Sequence, residues 1–155
     1  MASELSPRKC RSNVMARYRS DMADVASDES AVLEVVRQFD EALERRDLDA
    51  ALATCTADVV FIGSGDGEQA VGRAAIAAMA AELAMRANGV QFTVDTEEVQ
   101  VSILGDVALL AAFGTAHLRS PRGDRRGPYR LTGCLVRVAG QWRWRLHHGS
   151  EPLPW

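Results

Sequence analysis

The chain has 155 residues, of which 47% are hydrophobic and 25% are charged, and its formal net charge is -3. These values are typical of one globular domain with an ordinary core. The small negative charge gives no long-range attraction for nucleic acid or an anionic membrane, and no apolar stretch approaches the roughly 18 residues of a membrane-spanning helix. We therefore expect neither nucleic acid nor a membrane as a partner.

The three cysteines, Cys10, Cys55 and Cys134, form an odd set with no close pair. This pattern argues against a disulfide framework and against a metal-ligand motif. The first residues also lack the apolar segment of a secretory signal. We predict a cytoplasmic protein that uses no metal and no other cofactor.

Residues 1–27 are polar and change from basic to acidic along the sequence, with few side chains to bury. They predict a disordered leader ahead of a single domain over residues 28–155. A basic arm that binds a partner is the alternative. Met15 and Met22 lie inside this segment, so a later native start is also open.

Apolar residues spaced by three and four predict three helices in the first part of the domain. The first helix begins at Ser27 or Asp28 and buries one stripe of side chains, including Phe39. Asp47 begins the second helix, and Gly72 precedes the third. A β-rich run over residues 57–62 lies between the second and third helices and predicts a strand.

Four further strands are predicted over about residues 90–103, 107–119, 129–139 and 141–150, with short turns between them. Short turns favour an antiparallel meander. A single sheet and three amphipathic helices bury most apolar surface when the helices lie against one curved face. The predicted fold class is therefore α+β, a cone-shaped curved antiparallel sheet with three N-terminal helices packed in its concave face.

Short motifs accompany this order of elements over residues 30–152. The motifs are Arg46-Asp47-Leu48-Asp49, Ala57-Asp58-Val59-Val60, Gly72-Arg73, Gly105-Asp106-Val107-Ala108, Gly140-Gln141-Trp142 and His148-Gly149-Ser150. In them the chain resembles the SnoaL-like family of the nuclear-transport-factor-2-like (NTF2-like) superfamily. It resembles most the branch that contains the association domain of calcium/calmodulin-dependent kinases. The resemblance implies a homodimer.

The resemblance also permits a test for ketosteroid isomerases of this fold. Their tyrosine, aspartate base and second acid align with Phe39, the vicinity of Gly63 and the vicinity of Cys134. None of these residues supplies a carboxylate or a strong O–H donor for an enolate oxygen. The steroid-isomerase mechanism is therefore disfavoured, and other reactions stay open.

The last predicted strand alternates two sets of side chains between the faces of the sheet. One set is Trp142, Trp144, Leu146, His148 and Ser150, and the other is Arg143, Arg145, His147 and Gly149. Either the tryptophans face the helices, or they form a homodimer interface through the sheet while Arg145 and His147 point into a cavity. A third alternative is a bulge partway along the strand, which would move the later side chains to the opposite face.

Three strands each carry an interior glycine, which costs about 0.5–1 kcal/mol relative to alanine. Such a cost indicates that a side chain at these positions would fill space that the protein needs. An equally weighted alternative is that the glycines only let the strands bend. The first interpretation gives a wide, apolar cavity for a bulky organic ligand. Its predicted ligand-binding residues are Phe39, Ala112, Gly114, Tyr129, Gly133, Arg145 and Gly149.

His147 and His148 are the candidate catalytic residues, because histidine titrates near neutral pH without special tuning. Adjacent residues of a strand point to opposite faces, so the two imidazoles do not share one site. For His148, a structural tie with Ser150 at the strand end is the alternative.

The predicted function is a small-molecule pocket protein. In the first hypothesis it is a cofactor-independent cyclase, isomerase or hydratase that acts on a bulky, polyketide-like substrate by acid/base chemistry. The alternative is a noncatalytic ligand-binding or dimerisation module, and a subunit role in a larger assembly is a weaker third hypothesis.

Overall fold

The computed structural model describes the backbone of residues 7–87 and 89–152, with the side chains of residues 24–87 and 89–152. Helices and strands follow one another in this range in an α+β arrangement, as predicted. In chain order they are α1 (Pro7–Glu44), α2 (Leu48–Ala53), β1 (Cys55–Ile62), β2 (Gln69–Val71), α3 (Arg73–Ala87), β3 (Gln91–Leu104), β4 (Val107–Arg119), β5 (Arg125–Val138) and β6 (Gln141–Ser150).

The six strands form one curved, unclosed sheet in the order β2-β1-β6-β5-β4-β3. Strands β3 to β6 make the predicted antiparallel meander. Strand β1 instead runs parallel to β6, and the three-residue β2 extends the sheet beyond it. These two features were not predicted, because β1 precedes the meander in the chain and pairs with its last strand.

Helix α1 begins at Pro7, so the predicted start at Ser27 or Asp28 is wrong. Residues 8–44 contain neither glycine nor proline, and nothing in their sequence interrupts a helix. The segment predicted to be disordered therefore has helical backbone from Pro7 onward, and residues 1–6 lie outside the described residues. The division into a leader and a domain stays a prediction. None of the described helices is long and apolar enough to cross a membrane.

The core lies between the helices and the face of the sheet that they cover, which we call the concave face. Strands β4, β5 and β6 supply half of its buried hydrophobic side chains, and Trp144 and Leu135, which pair across β6 and β5, are fully buried. The helical contribution comes from Val32, Val36, Phe39, Ala42, Ala51, Leu52 and Ile76. Packing of the helices in the concave face agrees with the prediction.

A bulge in β6 decides which residues face the helices. Trp144 pairs with Leu135, whereas Leu146 pairs with the preceding residue of β5, Cys134. Arg145 is therefore an extra residue, and it reverses the alternation along the strand. As a result Trp144 and His147 both lie on the concave face, and Leu146 lies on the opposite face, which we call the outer face. The switch of faces was one of the three arrangements open from the sequence.

Candidate functional site

His147 lies on the concave face inside a cage of aromatic rings. Its ring centroid is 5.1 Å from that of Phe39 and 5.1 Å from that of Phe61, whose plane is nearly parallel to it. Trp144 meets it edge-on at 5.2 Å. The side chain is only 9% exposed, and its Nδ1 atom is buried without a hydrogen-bond partner among the described residues.

This apolar cage fixes the protonation state of His147. Burial lowers the pKa of the imidazole to about 4, and the neighbouring charge of His148 acts in the same direction. The ring is therefore neutral at pH 7, with one nitrogen that donates and one that accepts a hydrogen bond. An unpartnered buried polar atom costs about 1–3 kcal/mol, and native proteins keep few of them. His147 thus keeps unused hydrogen-bonding capacity in otherwise apolar surroundings.

Asp40 is an acid that the sequence reasoning missed. It follows Phe39 on α1 and is half-buried. Burial raises the pKa of its carboxyl group to about 6, and the Glu44 carboxylate raises it further. A carboxyl group with a pKa near 6 can take up or release a proton close to neutral pH. The signal was present in the sequence, because Val32, Val36 and Asp40 are spaced by four and share one helix face.

Tyr129 of β5 adds a hydroxyl group near Asp40. Its ring is buried and contacts Phe92 edge-on at 5.7 Å. Burial raises the pKa of the phenol to about 12, with further contributions from the charges of Glu68, Glu151 and Asp40. The hydroxyl group therefore stays protonated and can donate a hydrogen bond. We call Asp40, Tyr129 and His147 the polar cluster.

The interior glycines do not open the predicted wide cavity. A methyl group on Gly133 would overlap the ring of Trp144, and one on Gly149 would overlap the phenol of Tyr129. At Gly114 it would meet the main chain of Asp95. The space is filled by the protein's own groups, so the cavity interpretation is wrong at these positions. Ala112 is likewise buried in the core, and whether these residues contact a ligand stays a prediction.

Two other predicted site residues point away from the polar cluster. Arg145, at the bulge, donates from Nη1 to the main-chain oxygen of Asp58 at 2.7 Å, and its Nη2 is 3.2 Å from the Asp58 carboxylate. His148 lies on the outer face, where its Nδ1 is 3.3 Å from the Thr132 hydroxyl. The structure thus separates His148 from His147, as the alternation predicted, and it does not bring Arg145 to the concave face.

Two open grooves lie outside the polar cluster. One, of about 640 Å³, is bordered by α1, α2 and the β5–β6 turn, with Val35 and Trp142 among its residues. The other, of about 670 Å³, is lined by Arg73, Arg143 and Arg145. Within the described residues, no three His, Cys, Asp or Glu side chains are grouped so that they would hold a metal ion.

Solved structures with the same fold come from several bacteria. An NTF2-like protein of unknown function from Pseudomonas putida KT2440 is 22% identical, with a TM-score of 0.69 over 83% of this chain and 89% of its own. A candidate dehydratase of the NTF2-like family from Streptomyces avermitilis is 22% identical, with a TM-score of 0.68 over 83% and 99%. A candidate scytalone dehydratase from Novosphingobium aromaticivorans is 13% identical, with a TM-score of 0.73 over 85% and 89%. At these identities the likeness concerns the fold.

Sequence comparison gives the family. No curated protein matches the chain significantly. The SnoaL-like domain matches residues 32–154, which is most of the chain and nearly the range of the motifs that carried the resemblance. The nearer relation to the kinase association-domain branch stays a prediction. The chain belongs to the SnoaL-like domain family.

Proposed function

We propose that this protein is a cofactor-independent enzyme that moves protons on a bulky, polyketide-like organic molecule, in a dehydration, isomerisation or cyclisation. The observation that carries the proposal is Asp40, a half-buried carboxyl group with a pKa of about 6 that follows Phe39, one ring of the His147 cage, on α1. An acid/base group works best when its pKa lies near the working pH. Burial supplies that adjustment here.

The three members of the polar cluster have complementary roles in this proposal. Asp40, as the carboxylate, removes a proton from the carbon next to a carbonyl group. The protonated Tyr129 hydroxyl donates a hydrogen bond to the oxygen on which negative charge develops. Neutral His147 orients the substrate through its free hydrogen-bonding capacity, and Phe39 and Phe61 exclude water around it. This division replaces the predicted roles of His147 and His148 as alternative acid/base candidates.

Two of the structural neighbours are described as candidate dehydratases. Elimination of water from a β-hydroxy ketone begins with the proton removal assigned to Asp40, so those descriptions fit the proposal. The chemistry needs no cofactor, because the carbonyl group of the substrate accepts the electrons released at carbon.

The test is proton exchange at carbon. The protein is incubated in D₂O with a panel of bicyclic aromatic ketones that carry a β-hydroxyl group, and NMR follows deuterium uptake and loss of water. We expect accelerated exchange with at least one ketone, and a loss of about 100-fold or more in Asp40→Asn. Asp66→Asn, in an exposed loop, is the matched control. Exchange that survives Asp40→Asn unchanged would refute the role of Asp40.

A second candidate function, a noncatalytic binding or dimerisation module, is favoured by the outer face. Leu109 and Phe113 of β4 point there and are 48% and 45% exposed. Apolar side chains of this size on one sheet face are typical of an interface. We propose that a second copy of the chain packs on them. One of the arrangements open from the sequence put Trp142 and Trp144 in that interface. Both are buried on the concave face instead, so the interface proposed now excludes them.

Native mass spectrometry of the protein from its own host tests this second candidate. It compares the intact assembly with the denatured chain, and so reports stoichiometry and any retained small molecule together. A dimer that dissociates in Phe113→Glu but not in Glu98→Gln, a change in the facing residue of β3, supports the interface. A monomeric wild type refutes it. A retained molecule also gives a compound for the exchange assay.

The cytoplasm is the compartment that we propose for the protein. Cys55 and Cys134 are both free thiols in the described structure, which is what a reducing compartment maintains.

A further inference from the structure

Three arginines line the groove of about 670 Å³ at the β1–β6 end of the sheet. Arg73 comes from the first residue of α3, and Arg143 and Arg145 come from β6. Asp58 is the single acidic residue among the groove's lining. Three guanidinium groups facing one carboxylate leave a local excess of two positive charges, in a chain whose overall charge is negative.

The irregular pairing of β1 explains how the arginines are held. Between Cys55 and Val60 the register between β1 and β6 shifts, so that part of β1 leaves its partner strand. The arginines bind main-chain carbonyl oxygens of this segment and of the residues before it. Arg143 donates to Ala53 at 2.5 Å, Arg145 donates to Asp58 at 2.7 Å, and Arg73 donates to Cys55.

These contacts position the arginines but use few of their donors. A guanidinium group carries about five N–H bonds, and in each of the three arginines the contacts described engage a minority of them. Two buried polar atoms of lining residues, Arg73 Nε and Thr56 Oγ1, have no hydrogen-bond partner among the described residues. Thr56 is only 8% exposed. A buried polar atom without a protein partner needs a water molecule or an ion to satisfy it, and the unused donors of the three guanidinium groups favour an anion.

Apolar side chains line the groove beside the arginines. They are Val136 and Val138 of β5, where Val136 pairs with Arg143, and Ala57 of β1. Val138 is 47% exposed, although valine gains from burial. A ligand that matches both the arginines and the valines has a charged group and a short hydrocarbon part.

We propose that this groove binds a small organic anion, whose carboxylate or phosphate group is held by Arg73, Arg143 and Arg145 and whose apolar part lies on Val136 and Val138. The site is on the far side of β6 from the polar cluster and is independent of the proposed reaction. Its planar donor forks suit either oxyanion, because each presents two oxygens to a guanidinium group.

Isothermal titration calorimetry at constant ionic strength tests the site with four probes: hexanoate, acetate, hexanol and inorganic phosphate. We expect hexanoate to bind about tenfold more tightly than acetate, because four additional methylene groups contact the valines. We expect no binding of hexanol, which lacks the charge. Binding of inorganic phosphate with the affinity of hexanoate or better would identify phosphate as the preferred head group, whereas weaker phosphate binding would identify the carboxylate.

The variants locate the binding. Arg143→Gln and Arg145→Gln should each weaken hexanoate binding about tenfold or more, since each removes a charge-assisted contact. Arg122→Gln, an exposed arginine of the β4–β5 turn, should leave it unchanged. Circular dichroism in chloride buffer confirms that each variant folds. Hexanoate binding that is insensitive to both β6 variants, or heats no larger than those of added chloride for every probe, overturns the proposal.

Discussion

The indole ring of Trp144 occupies the space that a side chain at position 133 would need. Gly133 lies opposite His147 in the pairing of β5 with β6, and Trp144 in turn contacts both His147 and Phe39. The absence of a side chain at Gly133 therefore lets Trp144 form one wall of the cage around the imidazole. Gly133 therefore affects the site by making room for the Trp144 ring, and it does not leave an empty cavity.

Gly133→Ala should destabilise the protein by about 2–3 kcal/mol, the cost of forcing a methyl group into a packed core. The rigid Trp144 ring and the main chain at Leu146 leave no direction in which the methyl group could be accommodated. Urea denaturation followed by tryptophan fluorescence measures the loss.

Gly127→Ala is the control for this change. Gly127 also lies in β5, but a methyl group there would meet nothing within 4 Å. We expect a change within about 0.5 kcal/mol, as for most surface substitutions. Equal destabilisation by the two changes would show that the cost comes from the strand and not from Trp144.

Asp40→Asn should stabilise the protein at pH 7. The carboxyl group titrates near pH 3.8 when unfolded and near pH 6 when folded, so between these values the folded state binds more protons than the unfolded state. Stability then falls as pH rises through this window, by at most about 3 kcal/mol. An asparagine at position 40 does not ionise, so the variant does not lose this stability as pH rises. Between pH 4 and pH 7 the unfolding midpoint of Asp40→Asn should therefore rise increasingly above that of the wild type. A difference between the two proteins that stays constant with pH would contradict the raised pKa of Asp40.

His147→Gln should remove a pH dependence of stability that has the opposite sign to that of Asp40. The imidazole titrates near pH 6.5 when unfolded and near pH 4 when folded, so acidification through this range favours the unfolded state. In the wild type this trend opposes that of Asp40. The same pH series should show stability rising with pH in Asp40→Asn and falling with pH in His147→Gln, whatever the absolute stability of each variant. Parallel curves for the two variants would show that neither group is shifted as described.

The sequence predicted the strands of the meander well because each has a half-buried pattern and ends at a turn signal. Gly140, at the turn before β6, has a φ of 78°, which glycine adopts readily. The position of the bulge at Arg145 could not be predicted, because an extra residue in a strand has no characteristic amino-acid pattern. Strict alternation therefore put Trp144 and His147 on opposite faces, and only the pairing with β5 puts them on the same one.

The site was less predictable than the fold, because its chemistry depends on burial. His147 was singled out for its side chain, but its neutral state follows from the rings packed around it. Spacing puts Asp40 on the same face of α1 as the buried Val32 and Val36, but its raised pKa appears only when the helix is placed against the sheet. Spacing along α1 locates the residue, whereas tertiary packing sets its acidity.

Tyr129→Phe separates packing from chemistry in the polar cluster. A phenylalanine ring still fills most of the space over Gly149, so we expect the unfolding free energy to change by about 1 kcal/mol or less, whereas Tyr129→Ala should cost about 3–5 kcal/mol. The hydroxyl group is lost in both. If it stabilises the developing oxyanion, Tyr129→Phe should slow proton exchange on a reactive ketone by about 100-fold, with the pH at half-maximal rate still set by Asp40 near 6. Exchange at the wild-type rate in Tyr129→Phe would leave the phenol a packing role only, and the oxyanion donor would then have to be His147.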